Sequence, residues 1–435
     1  MIDKINIFWF RRDLRLNDNN GLFNALKSGR KIQPIFIFDK EILRKLPKND
    51  ARVSFIHQEI ENINQQLEKI ESTVDVYYGK PIDIFKSLSE KHEIDIVFTN
   101  HDYEPYSIKR DLEINQFLET KNIHFKTFKD QVIFERNEIV KKDETPYKVY
   151  TPYSKKWLET FHLKGIDNFP SEELQQNFVK KKAQQFLTLE EIGFTKSPIN
   201  VKSFKISTEI IDNYEETRNF PAKDSTSKLG THLRFGTVSI RKMVEKAAKS
   251  NNITFLKELI WREFFMQILW HFPSTTKDSF KPKYDRIIWR NNENEFNAWC
   301  KGETGYPLVD AGMRELNQTG FMHNRVRMLT GSFLCKHLLI DWRWGEAYFA
   351  EKLHDYEQSS NIGNWQWVAG SGVDAAPYFR IFNPTTQIQK FDKSLDYISK
   401  WVPEFQELTY AKPIVEHKFA RERCLKTYKK ALTEF

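Results

Sequence analysis

The chain has 435 residues, of which 40% are hydrophobic and 14% aromatic, and its formal net charge is +8. This length predicts about two or three compact units. The apolar content, with only 16 Gly and 16 Pro, excludes a disordered, collagen-like or low-complexity chain. The positive charge suits a polyanionic partner without requiring one.

Cysteine usage and hydropathy narrow the class further. Cys300, Cys335 and Cys424 are far apart and form no CxxC pattern, so a disulfide framework, a zinc ribbon and a four-cysteine iron–sulfur site are not expected. The N-terminal apolar run is too short for a signal peptide, and no run of about 18 uncharged apolar residues occurs. We therefore expect a soluble, cytoplasmic protein with no bound metal and no membrane partner.

Alternating apolar and amphipathic segments fill the first 130 residues. The stretch Val53–Ile70 has apolar residues at helical spacing, and five short apolar runs, the last one weaker, are typical of strands. The candidate strands are Ile5–Phe10, Ile32–Phe38, Val74–Tyr78, Ile94–Thr99 and Phe125–Phe128. Continuous apolar strands alternating with helices predict an α/β domain with a doubly wound parallel sheet over residues 1–130. No G-x-G-x-x-G follows the first strand, so the usual dinucleotide-binding fingerprint is absent.

Two further regions follow this domain. Residues 131–200, rich in Lys, Glu and Pro, predict a long, partly ordered connector. Beyond residue 200 the strand signals end, and helical periodicity predicts a larger all-α domain over residues 201–435. The predicted helical segments are Leu256–Leu269, Tyr306–Leu316, Arg325–His337 and Ala347–Leu353. Polar loops rich in Gly, Asn and Trp are expected near Asp355–Gly372 and Asp374–Asn383.

Two motifs of the second half allow either a structural or a binding interpretation. The hydroxyl-rich stretch Asp224–Gly236 suits a helix N-cap, or a phosphate bound at a helix N-terminus. Glu258 and Arg262 lie four residues apart, which suits an intrahelical ion pair worth about 0.3–0.5 kcal/mol. Trp261 beside them would ordinarily belong to a core.

Two other motifs are harder to explain by packing alone. The stretch Met322–Met328 places three side chains near one helix face, namely Asn324, Arg327 and Met328. His323 within it is expected to be a structural histidine. The stretch Asp355–Trp367 mixes carboxylates, amides and two Trp, and such groups need partners when buried, which suggests a bound heteroaromatic ligand. Farther on, Arg380 could reach a phosphate.

Several long motifs, in order, resemble one protein family. They are ELIWREF, TGYPLVDAGMREL, FMHNRVRM, LLIDWRWGE, SNIGNWQW and DAAPYFRIFNPTTQ, with FWFRRDLRLNDN at the N-terminus and YKVYTPYSKKW in the connector. Together they resemble the DNA photolyase/cryptochrome family over nearly the whole chain. The motif sequences are most similar to those of the microbial photolyases that act on cyclobutane pyrimidine dimers.

The resemblance implies that FAD binds in the helical domain, folded into a U with its adenine near the flavin. The residues that would hold its pyrophosphate end are Tyr214, Thr226, Ser227, Lys228, Leu229, Gly230 and Arg262. Arg327 and Asp355 would pair beside the isoalloxazine. Glu357, where Asp is commoner, would face the pyrimidine edge of the flavin. Asn361 would sit at flavin N5, where a neutral amide can accommodate the reduced anionic flavin.

The substrate implied is DNA carrying a pyrimidine dimer, flipped out of the duplex into a pocket above the FAD. Light-excited, fully reduced FAD would pass an electron to the dimer, the cyclobutane bonds would break, and the electron would return. Catalytic roles fall to Glu258, Asn324 and Asn361. The implied lesion contacts are Glu258 and Asn324 at the polar edge with Arg325 beside them, Trp261 and Trp367 as the aromatic wall, Met328 as the floor, and Arg218 and Arg380 at flanking phosphates.

Two accessory functions are also implied. Oxidised flavin would be re-reduced through three tryptophans, Trp365 nearest, then Trp342, then Trp289 near the surface. A second, antenna chromophore is a common feature of the family. Tyr106 and Ser107 stand where folate-binding members have Asn and Glu, which argues against a folate; a deazaflavin, another flavin or no antenna remains open.

Three other functions compete with the repair of cyclobutane pyrimidine dimers. A cryptochrome would signal without repairing DNA, but the segment after Pro384 is short and predicted to be helical, and Glu258 and Asn324 are retained, which favours repair. A (6-4) photolyase would carry paired histidines where this chain has only His323. A light-independent flavin oxidoreductase would need an NAD(P)H site, and the glycine-rich fingerprint is absent. We expect the protein to act as a monomer.

Overall fold

The computed structural model describes residues 4–182 and 186–433. The chain forms two compact units, both discontinuous in sequence. The first comprises Met1–Glu138, Leu158–Lys202 and Leu229–Lys249, and the second comprises Ile139–Trp157, Ser203–Lys228 and Ser250–Phe435. These units differ from the three consecutive segments that the sequence predicted, with boundaries at residues 130 and 200.

The first unit holds a five-stranded parallel sheet. Its strands are β1 (Ile5–Phe10), β2 (Ile32–Asp39), β3 (Asp75–Gly79), β4 (Ile94–Asn100) and β5 (His124–Phe128), in the order β3-β2-β1-β4-β5. All five predicted strands are confirmed to within one residue at each end, because buried parallel strands produce uninterrupted apolar runs.

The helices account for most of the remaining chain. In the described ranges the α-helices are α1 (Asn20–Leu26), α2 (Lys40–Leu43), α3 (Ala51–Glu68), α4 (Pro81–Lys91), α5 (Pro105–Thr120), α6 (Tyr150–Lys164), α7 (Thr208–Asp212), α8 (Tyr214–Thr217), α9 (Gly230–Phe235), α10 (Ile240–Ala248), α11 (Thr254–His271), α12 (Glu293–Lys301), α13 (Pro307–Thr319), α14 (Asn324–Ser332), α15 (Trp342–Lys352), α16 (Gln358–Ala369), α17 (Pro384–Phe391), α18 (Asp396–Trp401) and α19 (His417–Thr433). Short 3₁₀ helices cover Ser171–Asn177, Pro273–Thr276 and Pro282–Arg286, and a π-helical turn, Phe333–His337, extends α14.

Alternate residues of the strands serve two separate cores, one on each face of the sheet. In β1, Phe8 and Phe10 join the core that also contains Val53 and Ile60 of α3. Trp9, on the opposite face of the same strand, joins the core that contains Phe85 of α4. Side chains alternate along a strand, so a strand that is apolar at every position requires cover on both faces. The doubly wound α/β fold class is therefore confirmed.

The return of residues 229–249 to the first unit has an electrostatic explanation. Arg241 of α10 donates to Asp18 at 3.0 Å and to Asp130 at 2.8 Å, and Arg15 donates to the other oxygen of Asp130 at 2.7 Å. All four side chains are buried. Buried charges must be paired, and the partners of Arg241 lie in the first 130 residues. Local sequence patterns do not reveal such long-range partners.

The second unit is helical around one large apolar core that contains Trp299, Phe333, Trp342 and Trp365. The four predicted helical segments are confirmed as α11, α13, α14 with its π-helical turn, and α15. The predicted connector contains the 15-residue helix α6, and the first half of that helix belongs to this unit.

One expectation about this unit is wrong. The loop predicted near Asp355–Gly372 contains the 12-residue helix α16. The sequence SSNIGNWQW lacks an apolar stripe, because α16 buries apolar side chains and also presents the amides of Asn361 and Asn364 to a cavity. Helical periodicity of hydrophobicity is therefore lost at this functional surface.

No helix within the described residues, 4–182 and 186–433, is long and apolar enough to cross a bilayer. No cluster of three or more His, Cys, Asp or Glu side chains within those ranges is arranged to hold a metal ion.

Candidate functional site

Three helices of the second unit direct one face each into a common cavity of ≈ 410 Å³. The residues that line it follow the spacing i, i+3, i+4, i+7, which places side chains on one side of a helix. They are Glu258, Trp261, Arg262 and Phe265 of α11; Asn324, Arg327, Met328 and Gly331 of α14; and Ser360, Asn361, Asn364, Trp365, Trp367 and Val368 of α16. The volume is within the usual range of ligand pockets, about 300–1,000 Å³.

Glycines allow these helices to approach closely. A Cβ added at Gly363 of α16 would lie 2.2 Å from the ring of Phe265, and one at Gly345 of α15 would lie 2.1 Å from the ring of Trp365. Both distances are far inside van der Waals contact, so larger residues would force the helices apart and reshape the cavity.

Arginine–carboxylate pairs stand around the cavity. Arg327 donates both terminal nitrogens to Asp355, at 3.1 and 2.9 Å, in the bidentate geometry that fixes a guanidinium plane. Arg262 pairs with Glu357 at 3.1 Å, just before α16. The third pair joins Arg218 and Glu258. Of the two interpretations of Glu258 and Arg262, the structure does not show the intrahelical ion pair, because each residue binds a charge on another segment.

Asn361 is held by a residue that the sequence analysis missed. Its amide nitrogen donates to Oε1 of Glu346 at 2.9 Å and to the backbone carbonyl of Glu346 at 3.1 Å. Burial raises the pKa of Glu346. Because both contacts occupy the amide nitrogen, the carbonyl oxygen of Asn361 is the group left to face a ligand. Glu346 lies within LLIDWRWGE, so the motif contained the residue, but nothing in its spacing showed the contact.

The segment before α9 favours ligand binding over capping. The N-cap position of α9 is Leu229, and no side-chain hydrogen bond caps this helix. The hydroxyl of Thr226 is buried and finds no partner in the described part of the chain. A buried hydroxyl without a partner is costly, and a phosphate oxygen would satisfy it. Lys228 adopts a left-handed φ of 55°.

Of the other residues predicted to hold the pyrophosphate, Tyr214, Ser227 and Lys228 belong to the second unit, as Thr226 does. Leu229 and Gly230 begin a segment of the first unit, and their pyrophosphate role stays a prediction. The guanidinium of Arg218, which lines the cavity, lies 5.3 Å above the ring of Tyr214. Burial raises the pKa of Tyr214 to about 12, so its phenol stays protonated.

His323 is structural, as the sequence predicts. It is the N-cap of α14, and its Nδ1 accepts the backbone N–H of Arg325 at 3.2 Å. Burial lowers its pKa to about 3, and the cations Lys228, Arg327 and Arg325 lower it further. The imidazole is therefore neutral near pH 7, and the imidazolium form that acts as a general acid is not populated.

The predicted lesion contacts divide into two groups. Trp261, Trp367, Met328, Asn324, Glu258 and Arg218 line the cavity. Arg325 instead donates to Asn219 at 2.5 Å and lies 4.3 Å from the ring of Phe391. Arg380 is exposed, and its backbone carbonyl accepts a hydrogen bond from Nζ of buried Lys336. Neither arginine is among the cavity-lining residues of the described chain. Arg325 at the polar edge of the lesion and Arg380 at a flanking phosphate therefore stay predictions.

The three predicted electron-transfer tryptophans belong to one apolar core. Trp365 lines the cavity, Trp342 is buried in the same core, and Trp289 is half-buried against it. The order of electron transfer through them stays a prediction. The indole of Trp299 also meets Trp365 edge to face, with ring centroids 6.1 Å apart.

Comparisons with known proteins agree with this arrangement. Residues 6–174 match the family model described as DNA photolyase, and residues 255–409 match that of the FAD binding domain of DNA photolyase. The second match contains α11, α14 and α16. The chain is 36% identical to a deoxyribodipyrimidine photo-lyase of Agrobacterium fabrum over 473 residues, which cover 97% of each chain.

Solved structures give the same result. A bacterial class III photolyase from Agrobacterium tumefaciens aligns with a TM-score of 0.87 at 33% identity, covering 99% of this chain and 98% of its own. An archaeal photolyase from Sulfolobus tokodaii, solved with two FAD molecules, aligns with a TM-score of 0.85 at 32% identity, covering 98% of this chain and 99% of its own. With a helical cavity matched to an FAD-binding family model and whole-length relatives above 30% identity, this chain belongs to the DNA photolyase family.

Proposed function

We propose that the protein is a deoxyribodipyrimidine photo-lyase that uses FAD and light to split cyclobutane pyrimidine dimers in DNA. One observation carries this proposal: residues named from three separate sequence stretches, together with Arg218, converge on a single cavity. They are Arg218, Glu258, Trp261, Arg262, Asn324, Arg327, Met328, Asp355, Glu357, Asn361, Trp365 and Trp367. The curated relatives carry the same activity in their names.

FAD, when bound and reduced, supplies light-driven electron donation. The chain's own residues would hold and orient it. The bidentate Arg327–Asp355 pair would lie beside the isoalloxazine, and Glu357, which is paired with Arg262, would face its pyrimidine edge. The carbonyl of Asn361, oriented through Glu346, would face N5. The hydroxyl of Thr226, which finds no partner among the described residues, would contact the pyrophosphate.

The mouth of the cavity receives the dimer. Trp261 and Trp367 supply flat apolar walls, on which extruded bases stack favourably. Glu258 and Asn324 bind the polar edge of the dimer, and Met328 fills the floor. Because Glu258 is paired with Arg218, a lesion that binds Glu258 also brings Arg218 close to the flanking phosphate.

Three finer statements belong to this proposal. The protein acts as a monomer, because the residues of one chain complete the cavity. It works in the cytoplasm, where Cys300, Cys335 and Cys424 stay reduced and unpaired. Any antenna chromophore is a flavin or deazaflavin rather than a folate; the two FAD molecules of the Sulfolobus tokodaii photolyase support a second flavin.

The test is direct. Purified protein, reduced and loaded with FAD, is illuminated with an oligonucleotide that contains one thymine dimer, and restored thymines are measured by chromatography. We expect light-dependent repair, with Glu258→Ala and Asn324→Ala lowering the repair yield while FAD stays bound. A protein that binds FAD and changes its absorbance under blue light without restoring any thymine would be a photoreceptor of the cryptochrome type, and the proposal would be wrong.

A further inference from the structure

Tyr150, which no sequence motif assigned to a site, lies flat against a wall of the cavity. It is the first residue of α6, and its ring stacks on the indole of Trp261 with centroids 3.7 Å apart and planes 7° from parallel. Aromatic pairs in proteins more often meet edge to face or offset, at about 4.5–7 Å. The close parallel contact therefore covers one face of the indole and sets its plane.

Three contacts hold Tyr150 itself in place. Its hydroxyl donates to the backbone carbonyl of Lys257 at 2.8 Å, one helical turn before Trp261. Its backbone N–H donates to the carboxylate of Asp374 at 3.2 Å. The ring of Phe264 meets both Tyr150 and Trp261 edge-on, at 5.9 and 5.6 Å. Since Tyr150 is tied to the same helix that carries Trp261, the two rings move as one body.

The stacked indole borders the part of the cavity that would receive the lesion. Trp261 is half-buried and stands between Glu258 and Arg262 on the face of α11 that lines the cavity. Base–aromatic stacking is worth about 1–3 kcal/mol per base, provided that the ring is presented at the right angle. A ring fixed before binding loses less rotational freedom when the base arrives.

We propose that Tyr150 is a positioning residue for lesion recognition: it fixes the plane of Trp261 so that an extruded pyrimidine dimer meets a preset aromatic wall. The proposal rests on the proposed function, because it assigns Trp261 to the lesion pocket. Tyr150 raises the preference for dimer-containing DNA over undamaged DNA, since undamaged bases stay stacked in the duplex and do not reach this wall.

Tyr150→Leu tests the inference by removing the stacked ring while keeping an apolar side chain. Affinities for a dimer-containing and an undamaged oligonucleotide are measured in the dark by fluorescence anisotropy, and FAD content is measured by absorbance. We expect dimer affinity to fall roughly three- to tenfold with undamaged-DNA affinity and FAD content unchanged. Tyr150→Phe, which keeps the ring, should restore most of the selectivity.

Tyr153→Leu is the matched control. Tyr153 lies on the same helix, packs on Phe264 with ring centroids 5.0 Å apart, and its hydroxyl donates to Glu263 of α11 at 3.2 Å. Removing its ring costs stability in a similar way without removing the ring that stacks on Trp261. A loss of selectivity in Tyr153→Leu equal to that in Tyr150→Leu would overturn the inference, because the effect would then be general loosening of α6.

Trp261→Leu separates failure of the inference from failure of the proposed function. If Trp261→Leu binds the dimer as tightly as the parent protein, the lesion wall itself is wrongly assigned. If Trp261→Leu weakens dimer binding but Tyr150→Leu does not, only the positioning role is overturned. In the double variant we expect no further loss beyond Trp261→Leu. Should Tyr150→Leu fail to fold, Asp374→Ala removes the backbone anchor and keeps both rings, and an unchanged selectivity there overturns the inference.

Discussion

The two units each contain a cluster of arginines and carboxylates, and the clusters differ in whether they border a cavity. In the first unit, Arg15, Asp18, Asp130 and Arg241 bond to one another, and none is more than 6% exposed. In the second unit, the side chains of Arg327 and Asp355 are 24% and 20% exposed and border a cavity.

This difference distinguishes a structural network from a binding site. Burying charges is tolerated when every one of them is paired. In the first cluster (Arg15, Asp18, Asp130 and Arg241), which we call the closed cluster, every charge is paired within the cluster. In the second cluster (Arg327 and Asp355), which we call the open cluster, the charges lie at the edge of the cavity. There they can orient a charged or polar ligand with little further desolvation. Residue type alone does not separate the two cases, because both use the same arginines and carboxylates.

The largest expected effect concerns the closed cluster. Asp130→Ala leaves Arg15 and Arg241 buried without their shared carboxylate, so we expect the free energy of unfolding to fall by about 3–5 kcal/mol. Urea denaturation measures it. The control is Asp95→Ala, which breaks the exposed pair with Arg30 and should cost less than about 1 kcal/mol. Equal costs would mean that the buried network is not special.

The open cluster should respond in ligand affinity instead. Asp355→Ala removes the bidentate partner of Arg327, and a hydrogen bond to a charged group is worth about 1.5–3 kcal/mol. We therefore expect FAD affinity to fall about ten- to a hundredfold, measured by calorimetry, with a smaller change in unfolding free energy than in Asp130→Ala. Glu404→Ala, which breaks the Arg314 pair elsewhere in the same unit, should leave FAD affinity unchanged. Loss of FAD in both variants would show that the effect is not local.

The two units can also be compared through one buried tryptophan in each, Trp342 and Trp9. The indole N–H groups of both lack a hydrogen-bond partner within the described ranges. Trp342 lies in the core around Trp365, whereas Trp9 of the first unit has the guanidinium groups of Arg11 and Arg110 at 4.9 and 4.8 Å from its ring. Trp342→Phe should slow light-driven reduction of oxidised FAD by at least an order of magnitude, as followed by absorbance.

Repair by chemically reduced Trp342→Phe should stay close to the parent rate, because the tryptophan chain is needed only to reduce the flavin. Trp9→Phe should change neither rate. Equal loss of photoreduction and repair in Trp342→Phe would contradict the electron-transfer assignment.

The smallest expected effect concerns His323, which lies among several cations beside the open cluster. Burial and the nearby cations lower the pKa of His323 to about 3, so the unfolded chain binds a proton there between about pH 6.5 and pH 3 that the folded chain does not. Stability from this group is present above pH 6.5 and is lost on acidification, by about 1.4 kcal/mol at pH 5.5. His323→Gln should flatten this part of the stability–pH curve. An unchanged slope would mean that His323 titrates normally.

Apolar patterns predicted the elements of the fold better than they predicted the site. Strands such as β1 were identified from the chain alone because burial on both faces leaves an uninterrupted apolar run, and helices such as α13 because burial of one face imposes a helical period on hydrophobicity. The same argument failed for α16, which directs amide side chains into the cavity. Site residues were named through resemblance of motifs, and Glu346 and Tyr150 were missed because their importance lies in contacts to Asn361 and Trp261.

The sequence by itself determined the fold class, the family and the identity of most residues at the cavity. Apolar runs and helical periodicity indicate the fold class, and the motif sequences indicate the family and the site residues. Only the tertiary structure decided which charges are partners. It pairs Glu258 with Arg218 rather than with Arg262, and it ties Arg241 to Asp18 and Asp130 across more than a hundred residues. Charges attract whatever lies nearest in space, and nearness in space is settled by packing and not by position along the chain.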